Sequence, residues 1–363
     1  MCLIPAVRSV TKLPLMAAGG IATGEAIYAA QALGAAALAI FAAIELDAEQ
    51  VRACLGAMLP GWAAMILVCM ALYYLCDAAK YQIITRVFGC AQPFGDSLIT
   101  TMLGFFYSAV TPLASGGQPF QVVHLHRRGV SVSTATSVIC MAYVLWKAAL
   151  VVLGVLGLLV CGGALSALSA AWLPVLLLGL LIHLALLALV LLSAAFPRAM
   201  TRLGAACIRR VFGWRLLAGH SAEAARWVEK WTGFVTEYHH AFACGFRNPR
   251  AMLAAGALAL VQCAAYMSVA YCAYRSFGLS GAAYFPVMLT QVLLHVGASF
   301  FPMPGASGAS EGGFLLVFTQ LFGPFLTMGM LIWRISTYYL TILLGYIAVV
   351  AERFTFRRSG TAV

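Results

Sequence analysis

Three ionisable side chains sit in strongly apolar surroundings: Lys147, Glu311 and Arg334. Lys147 falls near the middle of the apolar run 133–160, so its ammonium must reach a carboxylate, a backbone carbonyl, water or a phosphate. It is either a substrate or coupling group or a structural bridge. Glu311 can accept a proton, pair with Lys147 or Arg334, meet a cationic headgroup, or cap a helix that begins near Gly312. Arg334 opens the last apolar helix and can balance Glu311. His124, His126, Arg127 and Arg128 form a basic cluster. It reads either as a cationic anchor or as a phosphate-gathering headgroup entrance, because a guanidinium fork matches phosphate oxygens. Asp77 and Lys80 read as a solvated helix end, and His183 and His295 as hydrogen-bonded packing residues.

Two short segments echo one another. Residues 104–118 read GFFYSAVTPLASGGQ and residues 298–313 read ASFFPMPGASGASEGG. Each places an aromatic pair, Phe105-Phe106 or Phe300-Phe301, shortly before Pro-x-Ala-Ser-Gly, at 112–116 and 304–308. Proline and glycine break helices there, and a broken backbone cannot face lipid because its polar groups would lack partners. Such segments must be buried in protein or line a wet cavity. Paired in corresponding halves of a chain, they point to a transport site built from discontinuous helices. The candidate substrate residues are therefore Pro112, Ser115, Gly116, Gly117, Gln118, Pro304, Gly305, Ser307 and Gly308, with Lys147, Glu311 and Arg334.

The elements that must hold these residues follow from composition. Of 363 residues, 63% are hydrophobic and 9% charged, against about 25% charged in a soluble domain. That excludes a secreted domain, a cytosolic enzyme and a disordered tail. The formal charge of +11 is scattered between apolar runs, which argues for cationic loops at a membrane rather than for nucleic acid. The fold class is an all-α polytopic membrane protein in one integral domain, with the broken segments related as an internal, inverted repeat. Apolar runs of crossing length fall at roughly 25–45, 55–76, 133–160, 170–196, 251–274, 313–333 and 335–351. With 285–303 crossing and 97–119 re-entrant, the total is about eight crossings, with both termini on the cytoplasmic side of a plasma membrane. The connection 198–250 reads as an amphipathic helix at the cytoplasmic interface, or as a docking site for another protein. The eleven cysteines include no CxxC pair, and no metal or cofactor is expected.

These motifs resemble a known family. TPLASGGQPFQVVHLHRRGVS (111–131), FFPMPGASGASEGGF (300–314), WRISTYYLTILLG (333–345) and VLWKAALVVLG (144–154) resemble the lysylphosphatidylglycerol synthase transmembrane, flippase-like family in its standalone branch. The resemblance covers most of the chain from about residue 70. It implies movement of an anionic or aminoacylated phospholipid, such as lysylphosphatidylglycerol, to the outer leaflet of a bacterial membrane, with resistance to cationic antimicrobial peptides as a consequence. Longer members add a cytoplasmic acyltransferase domain. This chain ends at Val363, so a lysyltransferase activity has no expected seat here. No nucleotide-binding loop, HExxH or nucleophile elbow appears, and the energy for transport is expected from a gradient or another protein. Two rival readings stand beside transport. One is a lipid-modifying transferase with Glu311 as base and Lys147 or Arg334 holding phosphate. The other is a membrane partner of a separate lipid synthase.

Overall fold

A computed structural model describes residues 48–111, 114, 116–165, 172–212, 221–301 and 303–358. The expected span 25–45 and the candidate residues Pro112 and Ser115 lie outside the described residues. Every regular element among those described is helical. In order they are α1 (Ala48–Ala57), α2 (Pro60–Val87), α3 (Phe94–Val110), α4 (Gly117–Arg127), α5 (Val132–Leu165), α6 (Trp172–Ala195), α7 (Pro197–Phe212), α8 (Ser221–Arg247), α9 (Pro249–Ser276), α10 (Tyr284–Ala298), α11 (Ala309–Phe322), α12 (Leu326–Arg334) and α13 (Leu340–Arg358). The chain is a membrane-embedded helical protein, and its surface shows it: Leu67, Val68, Leu159, Leu181, Leu189 and Leu253 are all exposed large apolar side chains.

α2 and α9 pack against each other over the most extensive helix–helix interface of the fold. Both begin with proline, whose missing N–H costs nothing in the first turn. They run antiparallel. The Leu59 N–H donates to Ser276 O at 2.7 Å, the sulfurs of Cys69 and Cys272 lie 4.0 Å apart, and the Tyr73 and Tyr266 rings meet at 4.8 Å.

Each of these helices is followed by a pair of short helices that turns back. α3 and α4 form the first hairpin: the Gln121 amide donates to Thr100 O at 2.9 Å, and Arg128 pairs with Asp96 at 2.8 Å. Entry and exit therefore lie on one side, as expected for 97–119. α10 and α11 form the second. The Ala282 N–H, at its entry, donates to the Tyr274 hydroxyl at 3.0 Å, and Phe322, at its exit, meets the same tyrosine ring at 5.7 Å. The stretch 285–303 does not cross, contrary to expectation. Its helix, Tyr284–Ala298, has 15 residues and so rises only about 22 Å, and Gly305, Ala306 and Gly308, with positive φ, turn the chain back.

The apolar run expected as one span at 313–333 is likewise two half-helices. Gly323 (φ 51°) and Pro324 reverse the chain, so that Phe314 of α11 stacks on Trp333 of α12 at 5.1 Å. α12 then passes through a π-helical turn, Ile335–Tyr339, into α13, which absorbs the expected span 335–351 into one long crossing element. The crossings among the described residues are thus α2, α5, α6, α9 and α12–α13.

Because α2 and α9 are antiparallel and each hairpin returns to the end of the helix before it, the hairpins enter from opposite faces. α2–α5 and α9–α13 are an inverted repeat. The connection 198–250 divides into α7 and α8, braced against the side where α5 starts and α6 ends. His239 Nδ1–H donates to Ala194 O at 2.6 Å, and Trp231 Nε1–H to Met200 O at 3.1 Å. Hydroxyls of Ser131 and Thr134 donate to Glu237, and these bonds hold its carboxyl below the ordinary value.

Candidate functional site

The two motif loops share one backbone feature as well as a sequence. Ala114 (φ 53°) and Ala306 (φ 51°), the same position of Pro-x-Ala-Ser-Gly, are the only described non-glycine residues with positive φ. Left-handed backbone costs an alanine roughly 1–2 kcal/mol, so both loops hold local strain in the same place. In the first loop, the Gly116 N–H donates to Thr111 Oγ1 at 2.8 Å, and that hydroxyl donates to Tyr107 O at 2.6 Å. In the second, Ser307 Oγ donates to Pro304 O at 2.8 Å. Gly117 seats the start of α4 against α3; a Cβ there would stand 2.1 Å from Ser108 Oγ and 2.6 Å from Gly104 O. Gln118 is half-buried beside it.

The tips meet at Tyr338, in the π-helical turn. Its hydroxyl donates to Ala109 O, at the inner end of α3, at 3.1 Å. Its ring lies on Gly305, where a Cβ would come within 2.1 Å of a ring carbon. Glycine is required at that point twice over, by the ring and by a φ of 61°.

Glu311 is buried beside this junction and does two of the expected jobs together. One carboxylate oxygen accepts the Gly308 N–H at 2.7 Å, capping α11, and the other accepts Arg334 Nε–H at 2.5 Å. The rest of the guanidinium donates from Nη2 to Gly305 O at 2.9 Å and stacks 4.8 Å from the Tyr338 ring centroid. Arg334 thus ties the acid, the loop carbonyl and the tyrosine into one unit. Of the two cations considered as partners of Glu311, Arg334 and not Lys147 is the one it pairs with.

Lys147 has no hydrogen bond or ion pair to a described residue. Its ammonium lies 5.3 Å from the Tyr143 ring centroid, and its charge reaches Cys263, His183 and His295. His183 donates from Nδ1 to Gly179 O at 2.9 Å and packs against Phe300 of the second motif, leaving Nε2 buried without a partner. His295 packs on Tyr266, within reach of the Arg334 charge. Both histidines thus lie within reach of the Lys147 charge, and His295 within reach of Arg334 as well. One turn before His295, both amide atoms of Gln291 are buried and unpaired, as are Trp333 Nε1 and the Tyr339 hydroxyl.

Other charges are placed differently from their sequence reading. Asp77 and Lys80 are not solvated. They pair at 2.6 Å and both are buried, with Gln262 closing the triangle: Lys80 Nζ donates to Gln262 Oε1 at 2.9 Å, and Gln262 Nε2 donates to Asp77 Oδ1 at 3.0 Å. Polar Gln262 in the middle of apolar α9 was the signal for this triangle. His124 is buried and bonded to Glu352 at 2.6 Å, tying α4 to α13, and Arg128 is engaged by Asp96. Of the expected headgroup-entrance cluster, His126 and Arg127 are exposed. Gln121 rather than Gln118 carries the buried polar contacts of α4, donating to the Tyr81 hydroxyl at 3.0 Å as well as to Thr100 O. Among the described residues no group of three His, Cys, Asp or Glu side chains is placed to hold a metal ion.

Comparison with known proteins agrees with this architecture. Residues 21–345 match the family model described as the lysylphosphatidylglycerol synthase transmembrane region, so the chain belongs to that family. No curated protein matches the chain.

Proposed function

With that membership as the premise, we propose that the protein moves phospholipid between membrane leaflets, its substrate an anionic or aminoacylated lipid such as lysylphosphatidylglycerol. The observation that carries this reading is the meeting of two re-entrant hairpins at Tyr338, beside the buried Glu311–Arg334 pair. The hairpins come from opposite faces, so the junction is the point a headgroup must pass on either approach, and rocking of one repeat against the other gives alternating access.

The two loops are electrostatically unequal. At the start of α11, Glu311 occupies the positive helix end. At the start of α4 there is no acidic side chain, so its positive helix end is not neutralised. A lipid phosphate would engage that end and Lys147, the described membrane-embedded cation without an anionic partner. The acyl chains would remain in the bilayer. Gln118, Pro304 and Ser307 shape the loops through which the headgroup slides.

The basic side, carrying Arg86, Arg128, Arg198, Arg202 and Arg250, is assigned to the cytoplasm of a bacterial plasma membrane, with both termini there. Enriching the outer leaflet in an aminoacylated lipid would lower its negative charge and weaken attack by cationic peptides. The test is translocation of a headgroup-labelled phosphatidylglycerol, with and without a lysyl group, in proteoliposomes. Glu311→Gln should depress the rate at least tenfold with the protein still monodisperse; an unchanged rate overturns the assigned role.

A further inference from the structure

The chain leaves α6 at Phe196 and enters α7, whose packing against α8 leaves an open cleft of about 390 Å³. Pro197, Arg198, Thr201, Arg202, Thr236 and His239 line it. None of these is acidic, and the volume suits a small polar headgroup. Arg198 and Arg202 are one turn apart, both exposed, and neither is in an ion pair with a described residue. Glu237, the acid nearest in sequence, is engaged by Ser131 and Thr134 at the start of α5.

The hydrogen-bonding directions in the cleft are one-sided. Thr201 Oγ1 donates to Pro197 O at 2.9 Å and Thr236 Oγ1 to Thr232 O at 2.8 Å, so both hydroxyl protons are committed to backbone. His239 is held in place by its Nδ1–H bond to Ala194 O. The donors left to a ligand are the two guanidinium forks, both suited to an anion. On the same helix, Leu203 and Val211 are exposed apolar side chains near the arginines, the pairing of groups that suits a helix at a membrane interface.

We propose that the α7–α8 cleft is a phosphate-binding site for the headgroup of an anionic phospholipid, separate from the groove at Tyr338. The site holds the basic end of the protein against an anionic leaflet and does not depend on the transport reading. Phosphate is the recognised chemistry. Its source, a lipid or a soluble phosphoester, is decided by the test.

The experiment uses the purified full chain and dihexanoyl phosphatidylglycerol, with dihexanoyl phosphatidylcholine and glycerol phosphate as comparison ligands, in a titration calorimeter. The wild type should bind the glycerol lipid at least tenfold more tightly than the choline lipid. R198Q/R202Q should reduce that preference to twofold or less, and R198K/R202K should retain an intermediate preference, keeping charge without the fork. R209Q/R210Q, on the same helix but outside the cleft lining, should leave it unchanged. Competition by glycerol phosphate at comparable concentration assigns the site to the phosphate alone, whereas competition only by the lipid shows that the chains contribute; both support a phosphate site. An unchanged preference in R198Q/R202Q overturns the proposal, as does an equal loss in R209Q/R210Q, which would show a general effect of positive charge and not a site in the cleft. Should R198Q/R202Q fail to fold, the lysine pair and the single variants R198Q and R202Q carry the same comparison.

Discussion

The pair at the hairpin junction makes a quantitative prediction that separates structural from merely adjacent charges. Glu311 satisfies two donors, the Gly308 N–H and Arg334 Nε–H, with two different oxygens. Glu311→Gln keeps the shape but offers one acceptor and an NH₂ group, so one of those donors must face another donor. The change removes a charge-assisted bond and leaves the buried guanidinium without its anion, and breaking a buried pair in this way costs about 3–5 kcal/mol. Arg334→Met removes the bond to Glu311 and the bond to Gly305 O as well. There the remaining carboxyl still caps α11 through the Gly308 N–H, which holds the loss to roughly 2–3 kcal/mol.

The double variant should therefore cost about 2–3 kcal/mol less than the sum of the singles. Reversible unfolding in mixed micelles, monitored by helical circular dichroism, measures all four corners of this cycle. A coupling below about 0.5 kcal/mol would refute the reasoning, since pairs that weak are typical of solvent-exposed charges. The charge exchange E311R/R334E should fail to restore stability. The acid is bound to a backbone N–H and the base to a backbone carbonyl, so neither half of the pair can be reversed alone. Restoration by the exchange would show that only the net charge matters.

Three further outcomes follow from the same geometry. Gly305→Ala should separate the hairpin tips, because its methyl would collide with the Tyr338 ring at a φ of 61°; a cysteine pair placed across the tips should lose its cross-linking yield, and a retained yield contradicts the close contact. Ala114→Gly and Ala306→Gly should each be neutral or stabilising by up to about 1 kcal/mol, since relief of left-handed strain offsets the added freedom of the unfolded chain. Equal loss in both, of the size seen for alanine-to-glycine changes within α9, would show that the strain is absent. Lys147→Met should leave thermal stability unchanged or raise it, because the ammonium has no ionic partner to lose, while translocation of anionic lipid falls at least tenfold; a large loss of stability would make Lys147 a structural bridge instead.

How far the sequence revealed this site depended on whether the signal was local. The Pro-x-Ala-Ser-Gly motifs are local, and they marked both helix breaks and their internal symmetry. Glu311 and Arg334 were identifiable because charge within apolar sequence is scarce. Whether a broken stretch crosses or turns back is a different kind of fact. The return of α10–α11 depends on contacts with the far end of α9, at Tyr274, about which residues 285–313 say nothing. Asp77 and Lys80 were misread for the same reason. Their position near the end of an apolar run suggested water, but the antiparallel α9 covers them and brings Gln262 across. Tyr338 looked like one aromatic among many until two loops distant in sequence came to rest on it.

The inverted repeat also explains why the charges are distributed as they are. Two antiparallel copies of one plan would place equivalent residues symmetrically about the α2–α9 interface, and Tyr73 against Tyr266 retains that symmetry in its side chains. The paired alanines retain it in the backbone. The functional groups do not: Glu311 caps the second short helix, whereas Pro119 stands among the first residues of α4 in the first. Lys147 lies on α5, and the corresponding long element α12–α13 carries Arg334 already bound to an acid. A symmetric pair of loops would attract the same headgroup equally from both faces and offer no preferred direction. Neutralising one loop and leaving the other with an uncompensated cation makes the two approaches unequal in energy while keeping the backbone path common to both. If the protein moves lipid, its directional bias resides in that difference. Placing an acid at the first loop, as in Gln118→Glu, should reduce the bias measured between right-side-out and inverted vesicles, and an undiminished bias would locate it elsewhere.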